Sequence, residues 1–243
     1  MNSNIEASKF SPQLYARIGG ILYLILIIVG MISVLFVRDK LIVSLNAEAT
    51  ANNIQHSQFL WRIGITCDLI MHILDIPIML IIYVLLKPTS KNLALLALLF
   101  NLIQTAVLVA NKLNLLIPLF LLDNANYLKT FDAQQLHTLL YTSLKAHDFG
   151  FGLGLIFFGC VCLTNGYLII KSGYFPKFIG VLLQLAGICY LINNFTLILA
   201  PLVAGKLFPF LMFPVFIAEL TFAFWLTIKG VNIPKWQLKQ ITN

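Results

Sequence analysis

Charge is what this sequence has least of. Only 10% of its 243 residues are Asp, Glu, Lys or Arg, and just nine are acids. A soluble domain carries roughly 25% charged residues because its surface must be wetted. The scarcity therefore excludes a soluble globular protein. Cysteine is also scarce: Cys67, Cys160, Cys162 and Cys189 each lie inside an apolar run, and no pair has the two-residue gap of a redox or zinc motif. They read as small buried apolar residues that form no disulfide. Gly-x-Ser-x-Gly, His-Glu-x-x-His and a phosphate-binding loop are all missing, so the familiar hydrolase and nucleotide signatures are absent and no cofactor is implied.

What is present is apolar length. Sixty per cent of the chain is hydrophobic and the mean hydropathy is +0.92. Six runs are long enough to cross ~30 Å of hydrocarbon: about residues 18–37, 63–86, 93–117, 149–170, 178–200 and 210–228. The first follows Lys9 and Arg17 like a signal sequence, but no small-x-small site ends it, so an uncleaved span is expected. Pro77 and Pro214 fall inside the second and sixth runs, where a bundle tolerates a kink, and neither run is split. The expectation is an all-α polytopic membrane protein, a bundle of six transmembrane helices forming a single domain over residues 1–243.

Six spans put both termini on one side. That side carries nine bases (Lys9, Arg17, Lys87, Lys91, Lys171, Lys177, Lys229, Lys235, Lys239) with Glu6 the only acid, against seven bases mixed with acids opposite. The excess of base favours both termini in the cytoplasm, across an inner (plasma) membrane. The net charge of +7 is spread through short connections instead of forming a patch, so nucleic acid is set aside as a partner; membrane lipids are the implied surroundings. The composition does not fix the oligomeric state.

The long outer connections, near residues 38–61 and 118–148, have some order. From Asp132 the chain reads as an N-cap with Gln135 at the third helical position, followed by Leu136, Leu139, Leu140 and Leu144 on one face. This is either a short interfacial helix or an upward extension of the fourth span. Residues 46–58 are also helix-compatible, but their polar character makes them a covering loop at best. Tyr15, Tyr23, Trp61, Tyr83, Tyr174, Trp225 and Trp236 read mostly as interfacial anchors.

Ionisable and amide groups inside the runs carry the functional signal, because an Asp near a span's centre costs ~2.5–3.5 kcal/mol even on a lenient scale. Asp68, His72 and Asp75, at i, i+4 and i+7, share one face of the second helix and must look into the bundle. Asn101 and Gln104 on the third helix, His147 on the fourth and Glu219 on the sixth are possible partners. The expectation is a polar chamber between the second, third, fourth and sixth helices, open toward the outer side, that binds or passes a small molecule, lipid or ion. The alternatives are an intramembrane, hydrolase-like enzyme using buried carboxylates and histidine, or a scaffold held by polar bridges. A metal is not expected, because no compact ligand motif such as His-x-x-x-His occurs. Gly150, Gly152, Gly154, Gly159 and Gly166 would let another helix approach the fourth.

Ordered phrases carry a resemblance. They include Ala16-Arg-Ile-Gly-Gly-Ile-Leu-Tyr-Leu24, Val37-Arg-Asp-Lys-Leu-Ile-Val43, Arg62-Ile-Gly64 with Asp68-Leu69, and Asn92-Leu-Ala-Leu-Leu-Ala97. Further on come Ala146-His147, Phe157-Phe-Gly159, Gly180-Val-Leu-Leu183, Glu219-Leu220 and Lys229-Gly-Val231. Over residues 14 to 231 the chain resembles the bacterial six-span membrane family catalogued as domain of unknown function 4386. The resemblance implies the six-span architecture and no particular activity. It places Arg17, Arg62, Asp68, His147 and Glu219 in family-like phrases, whereas His72 departs from the pattern. Arg62 and Asp68 then form the expected polar pair, although six residues apart they need a kink or a third group to meet.

Overall fold

The computed structural model describes residues 11–123 and 125–241. Glu6 and Lys9, used in the count of bases, lie outside the described residues. Among the described residues six helices are long and apolar enough to cross a membrane: Pro12–Leu41, Gln58–Leu86, Lys91–Leu121, Ala133–Ser172, Lys177–Leu199 and Pro201–Ile228. They are the first to sixth spans below. Each is longer than, or begins earlier than, its apolar run, because polar end turns continue the helix once neighbours cover them. The sixth begins nine residues earlier than expected: only Ala200 separates it from the fifth, and Pro201 supplies its first turn. Pro77 and Pro214 stay within continuous helices.

The spans run up and down, and each packs on its neighbours in sequence; the sixth returns to the first. The result is a closed ring. Helices ~10 Å across, six to a ring, leave at the centre a space about as wide as one more helix. No seventh helix fills it, so side chains from all six must.

Glycine sets a close contact between the fourth and fifth spans. A Cβ on Gly180 would lie 2.5 Å from the Gly166 carbonyl oxygen, and one on Gly187 would lie 2.7 Å from that of Gly159. Gly152 continues the row against Asn194. The three crossings step seven residues down one helix and seven up the other, the spacing of a left-handed antiparallel pair. Gly150 and Gly154 instead face the third span, at Asn111 and Leu108.

The face opposite the described terminal segments, called the loop face here, carries a packed cap. The capping box of Asp132 and Gln135 forms, but it opens a 40-residue helix and not a separate interfacial one. At ~1.5 Å per residue this helix is ~60 Å long, about twice the hydrocarbon thickness, so it projects well beyond the membrane. Residues 47–56, expected as loop, form the helix Ala47–His56, with the Asn46 side chain accepting from the Ala49 N–H. Its Ala51 and Ile54 pack with Val37, Trp61, Leu115, Leu140 and Leu144 in one apolar cluster. Water drives this packing, at ~1.5–3 kcal/mol per large side chain; within the bilayer, close van der Waals fit takes over.

Several aromatics expected as lipid anchors are buried instead and close helix ends. Trp61 Nε1 donates to the Leu115 carbonyl at 2.8 Å. Tyr174 Oη and Trp236 Nε1 both donate to the Leu85 carbonyl, at 2.8 and 3.0 Å, satisfying an acceptor that the end of the second span leaves open.

Candidate functional site

The polar residues singled out from the sequence fall into two groups at different depths, not one chamber. Nearer the loop face, Asp68 is 1% exposed and accepts from two cations on the same oxygen: Arg38 Nη1 at 2.6 Å and Lys112 Nζ at 2.9 Å. The expected Arg62 partner is solvent-facing and makes no bond to it. Arg38 arrives because the first span widens into a π-helix over Ile32–Arg38, which rotates the end of the helix toward the second span. Ser33 in the same stretch accepts from Arg38 at 2.9 Å and donates to the Gly64 carbonyl at 2.9 Å. Lys112 arrives because the third span breaks at that residue, between Lys91–Asn111 and Leu113–Leu121. Its Nζ stands 3.5 Å from His147 Nε2 and 5.6 Å from the Phe151 ring centre. His147 stacks on Phe151, and its carbonyl accepts from Asn111. This ion-paired cluster, called the plug here, lies on the loop-face side of the bundle, with the Arg38 side chain still 17% exposed.

One turn deeper begins a cavity of about 170 Å³, lined by all six spans. His72, Asp75, Asn101, Gln104 and Glu219 line it; Asp68 and His147 do not. Asp75 accepts from Thr105 Oγ1 at 2.5 Å and from Asn101 Nδ2 at 3.3 Å. Glu219 accepts from Tyr23 Oη at 3.2 Å on one oxygen and from Tyr190 Oη on the other. Thus Tyr23, expected at a membrane interface, and Tyr190, not singled out at all, hold the Glu219 carboxyl. A hydroxyl in register with a buried acid on a neighbouring span was the available signal, but pairing it required knowing which helices are adjacent.

Three buried polar atoms of cavity-lining residues have no hydrogen-bond partner: the amide oxygens Asn101 Oδ1 and Gln104 Oε1, which are acceptors, and His72 Nε2. Apolar side chains make the rest of the wall, among them Met71, Leu108, Phe151, Phe158, Val161 and Phe222. All four cysteines are free, and Cys162 lies in the same wall. Among the described residues no three His, Cys, Asp or Glu side chains converge as metal ligands.

Residues 18–230 match the family described as Domain of unknown function (DUF4386). The chain belongs to that family. Both depths of polar residues in this DUF4386 protein fall within the matched segment. A protein of Archaeoglobus fulgidus described as uncharacterized is 32% identical over 160 residues, covering 65% of this chain and 78% of the relative. No solved structure matches.

Proposed function

We propose that this protein binds a small, mainly apolar molecule with hydrogen-bonding groups in the cavity at the centre of the ring. The unpaired buried polar atoms carry the reading. Polar groups held at membrane depth are costly unless something satisfies them, and a largely apolar void with a few convergent polar groups is the usual form of a small-molecule site. Binding is preferred to catalysis because His72, the one histidine in the wall, has no partner at Nε2 that would make it the base of a nucleophile.

Benzyl alcohol is a suitable probe, since a comparable void of ~150 Å³ accepts benzene. It should raise the melting temperature of the protein in lipid nanodiscs in a saturable way. Ala97→Phe, which directs a ring into the cavity, should abolish the rise while partition into lipid is unchanged. Equal shifts in both proteins, or none in either, would leave the cavity as a site for water only.

The face bearing the termini is proposed to look into the cytoplasm from a plasma membrane, following the nine-to-seven excess of bases on that side. A reporter active only in the cytoplasm, fused after Asn243, should be active. Activity of an export-dependent reporter at that position would reverse the orientation.

A further inference from the structure

The wall of the cavity is biased in a way that narrows the ligand. Its ionisable side chains are Asp75, Glu219, His72, three tyrosines (Tyr23, Tyr83, Tyr190) and Cys162, and no Lys or Arg is among them. The nearest cations, Lys112 and Arg38, are both engaged by Asp68 in the plug. Several donors of the wall are already engaged by its carboxylates. The two tyrosine hydroxyls that meet Glu219 and the Thr105 hydroxyl that meets Asp75 are spent as donors to those carboxyls. Asn101 spends its amide N–H on Asp75, which fixes its oxygen as the unsatisfied atom.

Two of the unpartnered buried atoms in the wall are amide oxygens and hence acceptors, and His72 Nε2 is a third when the ring proton sits on Nδ1. Asn101 Oδ1, Gln104 Oε1 and His72 Nε2 are each buried without a partner, on residues 4%, 6% and 2% exposed. All three belong to the second and third spans, as does Asp75, which Asn101 touches directly. His72 precedes Asp75 by three residues, and Gln104 follows Asn101 by three, so the four share one facing pair of helix surfaces. Across the cavity stand rings: Phe151 and Phe158 of the fourth span, Tyr190 of the fifth and Phe222 of the sixth.

An occupant that suits this wall offers donors and positive charge at one end and an apolar, flat body at the other. An alcohol offers one donor and no charge, and a carboxylate brings repulsion. An ammonium group has three N–H donors and no lone pair, and its charge answers the Asp75 carboxylate. Aromatic faces favour the same charge and the hydrocarbon attached to it.

Resting on the cavity reading above, we propose that the ligand is a small organic amine bound as its ammonium ion, the nitrogen at Asp75, Asn101, Gln104 and His72 and the apolar body against the rings of the fourth, fifth and sixth spans. The volume admits a molecule of roughly six to ten non-hydrogen atoms.

Benzylamine, benzyl alcohol and toluene test this, since they match in shape and differ in donors and charge. Dissociation constants would be taken from melting temperature against concentration in nanodiscs at neutral pH, with Ala97→Phe as the background. Benzylamine should bind roughly tenfold or more tightly than benzyl alcohol, the worth of a charge-assisted bond. Asp75→Asn, which keeps shape and loses charge, should remove that preference while benzyl alcohol still stabilises the variant, a sign that it is folded. Equal affinity for amine and alcohol, both above background, would overturn the amine assignment and leave the cavity reading standing. A preference that survives in Asp75→Asn would overturn the placement of the nitrogen. Binding of none of the three above background would overturn the cavity reading itself.

Discussion

At Asp68 two cations share one carboxylate oxygen, and the other oxygen is buried without a partner. Such a cluster is sensitive to loss of its single anion, because Arg38 and Lys112 would remain at depth with nothing to answer them. Asp68→Ala should destabilise the protein by about 3 kcal/mol or more in denaturant unfolding. Adding Lys112→Met should restore part of that loss, because a buried charge is then removed along with its partner. A double variant no more stable than the single one would mean that Asp68 acts through something other than this pair. The sequence made Asp68, His72, Asp75 and Glu219 legible as inward-facing, since a charge at that depth has nowhere else to go. It hid Arg38 and Lys112, which look like topology-setting bases at span ends. Only a π-helical turn in one helix and a break in another bring them inward, and neither distortion has a marker in composition.

Among the elements, the fourth and fifth spans show what glycine does when a backbone is the neighbour. At Gly180 an added methyl meets the Gly166 carbonyl and Ile170, and a carbonyl in a helix cannot move aside without separating the two helices. At Gly205, in the sixth span, nothing lies within contact distance. Gly180→Ala should therefore lower the melting temperature. Gly205→Ala should leave it unchanged or raise it, by up to the ~1 kcal/mol that alanine gains over glycine within a helix. Similar effects at both positions would argue against the ladder. The glycines of the fourth span could be recognised as a close-approach surface, but their partner could not, because its Gly180 and Gly187 are too widely spaced to stand out. Asp132 and Gln135 marked a helix start correctly without showing where that helix ends. In a chain with few polar interruptions, an amphipathic turn and the span after it fuse when no Pro breaks the join, and here the helix runs on through Gly150, Gly152 and Gly154. The segment of the helix Ala47–His56 was legible as helix-compatible but not as packed, because its buried side is only Thr50, Ala51 and Ile54, too narrow a stripe to stand out from polar surroundings.

Composition alone announced the whole molecule as a six-span bundle, since so apolar a chain has no other way to satisfy its backbone in lipid. The order of the ring was not legible, because uniform apolar helices carry little to say which pairs touch. That order decides the site: an up-and-down ring of six closes around a centre that no helix occupies, so the polar residues meet there with Tyr23 and Tyr190 added. Asp68 lies one turn above His72 and outside the cavity lining, and Phe151 borders both groups. The most direct measurement is diffraction at the bromine absorption edge from crystals of the protein soaked with 4-bromobenzyl alcohol. The account predicts an anomalous peak inside the ring, among Asp75, Asn101, Phe158 and Glu219, that disappears in Ala97→Phe. Peaks confined to the lipid-facing surface, with the centre of the ring filled by protein side chains, would contradict it.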